Sequence, residues 1–254
     1  MKAFAPIMQA PAAATGTCRI GTAGWTVPRA VAEHFPAEGS GLERYAARFS
    51  AAEINSTFYR SHKQSTYARW VAATPADFRF AVKLPRSITH EARLIDAMPL
   101  AASFRAEALA LGDKLGPLLV QLPPSLAFDA AIAGPFFSGL GRIWPGAKVC
   151  EPRHVSWFEP DADALLAAQE VARVAADPAR HPAAGVPGGW DGIAYWRLHG
   201  SPRMYWSSYD DAALEALAEA IGGSLSAQTW CVFDNTTSGA ATANAIKLQA
   251  LLAR

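Results

Sequence analysis

Glu53-Ile54-Asn55-Ser56-Thr57-Phe58-Tyr59-Arg60 follows two alanines and packs carboxyl, amide, hydroxyl, guanidinium and aromatic groups into eight residues. A short apolar lead-in that turns abruptly polar is the pattern of a buried strand delivering side chains to a site. Taken alone, such a stretch reads more simply as a strand running into a solvated loop. The same transition recurs at seven other strand ends, and that repetition decides between the two readings.

Upstream, Cys18 to Ala23 reads as a first strand ending at Gly24-Trp25, and Leu42 to Phe49 has helical spacing leading into the strand before Glu53. Downstream, strands are expected at 78–85, 118–122, 148–153, 171–176, 193–199 and 229–235. Helices are expected between them at 65–73, 98–115, 130–142 (interrupted near Gly134-Pro135), 162–169 and 211–221, with a last one at 240–252. Only 178–191, rich in Pro and Gly, shows no helix. The pattern is α/β: a single TIM-like (β/α)8 barrel whose crossover helix between strands six and seven is missing or reduced. The alternative, a doubly wound open sheet, lacks a G-x-G-x-x-G phosphate loop after the first strand.

At 254 residues, 51% hydrophobic and 18% charged, the chain has material for one large core. A net charge of +1 with no basic stripe gives no reason to expect nucleic acid as a partner. No segment is long and apolar enough to span a membrane. Cys18, Cys150 and Cys231 are odd in number, lack metal-ligand spacing and sit in or beside strand-like runs, so they read as buried, reduced strand thiols. Residues 1–16, Ala/Pro-rich and without an apolar signal core, read as a loose tail before one domain over 17–254 of a cytoplasmic protein.

In a barrel the strand C-termini open on one face, where function usually resides. The polar residues expected there are Glu53, Asn55, Lys83, Gln121, Glu151, Arg153, Asp177, Arg197, His199, Asp234 and Asn235. Alternation places Glu53/Asn55, Glu151/Arg153 and Arg197/His199 on common faces. Glu53, Lys83, Glu151, His199 and Asp234 are the candidate catalytic groups. Trp25, Asn55, Tyr59, Gln121, Arg153, Asp177, Arg197 and Asn235 are the candidate ligand-binding ones. Against this stands a plainer reading, in which Glu151/Arg153 and Arg197 with an acid are ion pairs closing the barrel top. Aromatics such as Trp25, Tyr59, Trp157 and Tyr205 also plug barrel mouths. Four acids facing three fixed cations and a histidine suit a small polar ligand bearing carboxylate or phosphate, with an acid or histidine for proton transfer. A two-metal site would be richer in carboxylate and histidine. No metal or cofactor is assigned, a single metal on Glu53, Glu151, Asp177 and His199 ranks second, and the oligomeric state is left open.

Gly21 to Trp25, Glu53 to Arg60, Thr74-Pro75 with Phe78-Arg79-Phe80 and Lys83, Ile88-Thr89-His90, Leu115-Gly116-Pro117 with Gln121 to Pro124, Glu151 to His154 with Ser156-Trp157, Arg197 to Gly200 and Phe233-Asp234-Asn235 occur in that order. Together they resemble the DUF72 (YecE-like) family from about residue 18 to the C-terminus. The resemblance implies a TIM-barrel-like fold without the full set of crossover helices, and no settled activity, since the family is a domain of unknown function. His62 departs from it, where a proline is expected. The leading functional expectation is an enzyme acting on a small anionic or sugar-like substrate. The alternative is a non-catalytic metabolite-binding or regulatory protein using the same pocket. A metal-dependent hydrolase or nuclease ranks third, and the neutral charge balance speaks against it.

Overall fold

The computed structural model of the chain describes residues 17–223, 226 and 228–253; the tail expected over 1–16 lies outside them. The strands are β1 (Thr17–Thr22), β2 (Ala51–Ile54), β3 (Arg79–Lys83), β4 (Leu115–Gln121), β5 (Lys148–Glu151), β6 (Val171–Arg173), β7 (Ala175–Asp177), β8 (Gly188–Gly189), β9 (Ala194–Leu198) and β10 (Gln228–Phe233). The helices are α1 (Gly41–Ala46), α2 (Gln64–Ala72), α3 (Met98–Ala108), α4 (Ala130–Ile143), α5 (Pro160–Ala168), α6 (Asp211–Gly222) and α7 (Ala240–Leu252). Between β7 and β9 there is only a 3-10 turn, Pro182–Gly185, and the short β8. The crossover helix expected to be reduced there is replaced by these two pieces.

Hydrogen bonds join the strands in two sheets, ordered β1-β10-β9-β7 and β2-β3-β4-β5-β6-β8. All pairings are parallel except that of β8 on β6. A lone parallel bridge, Ala23 to Glu53, links β1 to β2, and the Gly24 N–H donates to the Glu53 carbonyl at 2.8 Å. The strand expected at 171–176 is two strands, divided at Val174, whose N–H donates to the Cys150 carbonyl at 2.8 Å. Its first half pairs with β5 and its second with β9.

Successive side chains of a strand point to opposite faces, and here the two faces carry different cores. The outer face, with Ile20, Ile54, Phe80, Val82, Val120, Trp196 and Phe233, packs under helix residues such as Tyr45, Phe104, Phe137 and Leu248. The inner face gathers Ala51, Ala81, Leu119, Val149, Ala172, Val174, Tyr195, Trp230 and Val232. The strands buried on both faces are therefore near-continuously apolar, as parallel sheets require. Cys150 and Cys231 are buried in them, whereas Cys18, expected to be buried too, is exposed at the start of β1.

Local chemistry sets the helix ends. Ser40 and Glu43 form a capping box at α1, and the carboxylates of Asp129 and Asp210 cap α4 and α6. The helix expected over 98–115 ends at Ala108 and continues as a 3-10 turn to Lys114, with Gly112 at φ +54° breaking the helical path. Gly116 and Pro117, expected to close that helix, lie within β4. The ladder between β3 and β4 shifts register there, which accommodates a proline that has no N–H to donate. The helix expected to break near Gly134-Pro135 runs through Pro135.

The approach of β1 to β2 leaves no room for a side chain at Gly21, where a Cβ would meet the Ala51 carbonyl oxygen at 2.2 Å. Gly21→Ala should therefore force the strands apart and destabilise the protein by about 1–3 kcal/mol. Thermal denaturation should show the melting point fall by roughly 2–12 °C.

Candidate functional site

The inner face changes character at the C-terminal ends of six strands. Above Ala51, Ala81, Leu119, Val149, Tyr195 and Val232 stand Glu53, Lys83, Gln121, Glu151, Arg197 and Asp234, two residues on in each chain segment. All six are buried, as is His199, two residues beyond Arg197.

Arg197 is the centre. Its guanidinium, at 0% exposure, donates from Nε and Nη2 to Glu53 Oε2 and Oε1 at 3.0 and 2.7 Å. Nη1 reaches Glu151 Oε2 at 2.5 Å and Nη2 also reaches Asp234 Oδ2 at 3.0 Å. His199 spans two of the same acids, with Nε2 2.9 Å from Glu151 Oε1 and Nδ1 3.1 Å from Asp234 Oδ2. Only an imidazolium offers N–H donors on both sides. Gln121 Nε2 donates to Glu151 Oε2 at 3.0 Å, and Arg153 donates from Nε and Nη2 to Glu151 Oε1 at 3.2 and 3.1 Å.

The protonation states follow. Burial alone would push Glu151 up, but Arg197, His199 and Arg153 outweigh it and hold the carboxyl well below its usual range. Asp234 is lowered in the same way, with Arg197 and His199 overcoming burial. Burial would lower His199, yet Glu151 and Asp234 raise it above its ordinary value.

Lys83 stands apart from this network. It is 5% exposed, and among the described residues its ammonium has no hydrogen-bond or ion-pair partner. The nitrogen lies 4.1 Å from the centre of the Phe58 ring, a cation–π contact. Burial, then the charge of Arg197, lower its pKa to about 8 against the opposing pull of Glu53, Glu151 and Asp234. His90 packs edge-on against the same Phe58 ring, with 4.9 Å between ring centres. Burial and the charges of Lys83, Arg153 and Arg86 hold it below its ordinary value.

Several expected site residues lie elsewhere. Asp177 points outward: Ala176 pairs with Arg197 and takes the inner position, while Asp177 pairs with Leu198 and accepts from Tyr209 Oη at 2.7 Å. Trp25 packs edge-on against Trp70 and Phe80. Tyr59 is 70% exposed, and its ring packs edge-on against Phe58. Asn235 is turned to the Ser207 carbonyl and Asn244. Asn55 leaves the strand in a 3-10 turn, its Oδ1 buried without a partner. Arg197, expected to bind ligand, has its donors taken by three carboxylates. With Asp177 turned away, the four residues named for a single metal do not meet, and no group of three or more histidine, cysteine or carboxylate side chains is placed to hold a metal ion among the described residues.

Two contributors were not anticipated. Tyr195 Oη donates to Glu53 Oε2 at 3.0 Å; the alternation Tyr195, Arg197, His199 carried that signal. Phe58, under Lys83, carried none beyond its place in the opening stretch. Tyr205 covers the site, with its ring 5.4 Å from His199 and its hydroxyl 3.2 Å from Arg153 Nη2. Beside Glu151, Arg153 and His199 the cavity is only about 20 Å³. Larger clefts, such as one of about 350 Å³ beside Thr57 to Ser61, lie outside the cluster. The chemistry decides the site here, and the clefts do not coincide with it.

Residues 19–254 match the family described as Protein of unknown function DUF72. UPF0759 protein YecE of Escherichia coli (strain K12) is 37% identical over 82 residues, 32% of this chain and 30% of that protein. UPF0759 protein YunF of Bacillus subtilis (strain 168) is 28% identical over 149 residues, 56% of this chain and 52% of that one. The matched stretches thus span about half or less of these curated relatives' length. A DUF72 family protein of Thermotoga maritima MSB8 superposes with a TM-score of 0.77 at 23% identity, over 93% of this chain and 99% of that chain. One from Enterococcus faecalis V583 gives 0.78 at 19% identity, over 94% and 96%. At such identities the likeness is one of fold.

Two outcomes follow from the cluster. Arg197→Met strands buried carboxylates and should cost about 3–5 kcal/mol, which lowers the melting point by roughly 6–20 °C. The second is a pH profile. Glu151 and Asp234 titrate lower when folded, so their contribution is present above about pH 4 and is lost as pH falls through the folded values. His199 titrates higher when folded, so its contribution is complete below about pH 6.5 and is lost as pH rises through the raised value. Melting points should therefore peak between about pH 4 and 6.5, and His199→Gln should flatten the alkaline limb.

Proposed function

The chain belongs to the DUF72 family, whose function is unknown, and on that footing we propose an enzyme that acts on a small anionic substrate at the C-terminal ends of its parallel strands. In this reading the eight parallel strand segments close as a TIM-like (β/α)8 barrel over one domain. Two features support closure: the Ala23–Glu53 bridge on one side and the continuous run from β6 into β7 on the other.

The observation that carries the proposal is Lys83. A buried lysine normally takes a carboxylate partner or loses its charge. Here Glu53, Glu151 and Asp234 surround Arg197 and His199, which leaves Lys83 unpaired in a site with a positive balance. Three carboxylates face Arg197, Arg153, Lys83 and a protonated His199. An anionic ligand completes that balance, with Lys83 as the group free to exchange a proton near neutral pH and Arg153 as the donor for a carboxylate or phosphate oxygen. Tyr205 Oη already sits where such an oxygen would sit, on Arg153 Nη2. Ligand entry therefore means displacing Tyr205.

A second reading, a metabolite-binding protein without turnover, draws on the same network, since every carboxylate in it is engaged by a cation. A screen of small carboxylates and phosphates by thermal shift and by turnover separates the two. The proposal expects both stabilisation and turnover, with Lys83→Met and Arg153→Met each weakening binding about tenfold or more. Stabilisation without turnover would favour the binding protein. Ligands indifferent to both substitutions would contradict both readings.

A further inference from the structure

We infer that Lys83 forms a covalent imine with the carbonyl carbon of a small substrate that also carries a carboxylate or phosphate. The inference rests on the anionic-substrate reading and names the chemistry within it.

Its basis is position. Lys83 ends β3 on the inner face, in the layer that holds Glu53, Glu151, Arg197 and Asp234. The carboxylate oxygens of that layer are taken by Arg197, His199, Tyr195, Gln121 and Arg153. The lysine nitrogen is left against the Phe58 ring at 4.1 Å. A lysine meant only to attract anions gains from staying charged and hydrated. One desolvated on an aromatic face beside a fixed guanidinium is biased toward the neutral amine, which is the nucleophile. Its pKa of about 8, set by burial and Arg197 against Glu53, Glu151 and Asp234, agrees with that bias. His90 Nδ1 is 2.8 Å from Thr89 Oγ1, and its Nε2 has no partner among the described residues. Held below its ordinary value, His90 is a neutral base on the Lys83 side of the site.

The step balances without an oxidant. The neutral amine attacks the carbonyl carbon, a C–N bond forms, and the C=O π pair moves to oxygen. Both amine protons leave with that oxygen as water, which gives the C=N bond. A proton from solvent makes the iminium, which can accept the electron pair of an adjacent C–H or C–C bond. The class of reaction is then lyase or dehydratase chemistry on a keto acid or a phosphorylated ketone, with His90 receiving the α-proton.

The test uses the full chain with pyruvate, and separately with dihydroxyacetone phosphate, in the presence of sodium cyanoborohydride. Intact mass and peptide mapping locate any reduced adduct, and thermal shift with the same probes and with lactate reports binding. The expected result is one adduct on Lys83, formed roughly tenfold or more above any other lysine because its amine is the less basic. The adduct should be absent without reductant and absent from Lys83→Met, a variant that removes an unpaired buried charge and should melt no lower than wild type. Stabilisation by the probes without an adduct at Lys83, or equal labelling of Lys83→Met, overturns the imine and leaves the anion site standing. Neither stabilisation nor adduct overturns both.

Discussion

Arg197 is sealed from water, and a guanidinium stripped of solvent must be given carboxylates or it costs several kcal/mol. The chain supplies them from three strands: Glu53 from β2, Glu151 from β5 and Asp234 beyond β10. Arg197 itself stands on β9, in the four-stranded sheet, while Glu53 and Glu151 belong to the six-stranded one. The ion pairs therefore tie the two sheets together at the same end where Ala23 and Gly24 meet Glu53 through the backbone. His199 repeats the linkage one layer up, between Glu151 and Asp234. Once these acids are committed, Lys83 has none left. The reactive candidate is a consequence of the structural cluster.

The same logic explains where the site lies along the strands. Inner-face residues lower down are apolar, from Ala51 and Ala81 to Tyr195 and Trp230, and they pack as a dry core. At the strand starts the inner face carries Arg19, opposite Trp230, and Arg79, opposite Ala51. Above the dry core, polar groups return at the C-terminal strand ends, where loops such as that bearing Tyr205 close over them. A polar group placed two residues earlier would meet only apolar side chains and leave its bonds unmade.

Much of this was legible in the sequence, because period-two alternation survives in Glu151/Arg153 and Arg197/His199 and marks which residues share a face. The expected Glu53/Asn55 pair is broken because Asn55 leaves the strand in a 3-10 turn. Element order came from the succession of strand and helix patterns, the absent crossover helix from the Pro/Gly-rich stretch 178–191, and Glu53, Lys83, Gln121, Glu151, Arg153, Arg197, His199 and Asp234 from their places at strand ends. Asp177 shows its limit. Val171 to Asp177 reads Val-Ala-Arg-Val-Ala-Ala-Asp, with small apolar residues on both parities, and does not reveal which parity faces inward. The division at Val174 and the pairing of Ala176 with Arg197 decide it. Gly116 and Pro117 misled for another reason, since helix-stopping residues also fit a strand where the ladder shifts register. Whether Arg197 would serve a ligand or its neighbours depends on distances that spacing along a chain does not contain.

The account depends on Lys83 being left over by its neighbours, and its ionisation is the quantity that reports this. A titration of ¹³C-labelled lysine side chains by NMR, with Lys83→Met to assign the resonance, measures it in the intact protein. Burial beside the Arg197 guanidinium predicts a midpoint near 8 for Lys83. A midpoint at the ordinary lysine value, about 10.4, would mean that Lys83 is solvated or paired like any surface lysine, and the account would be wrong.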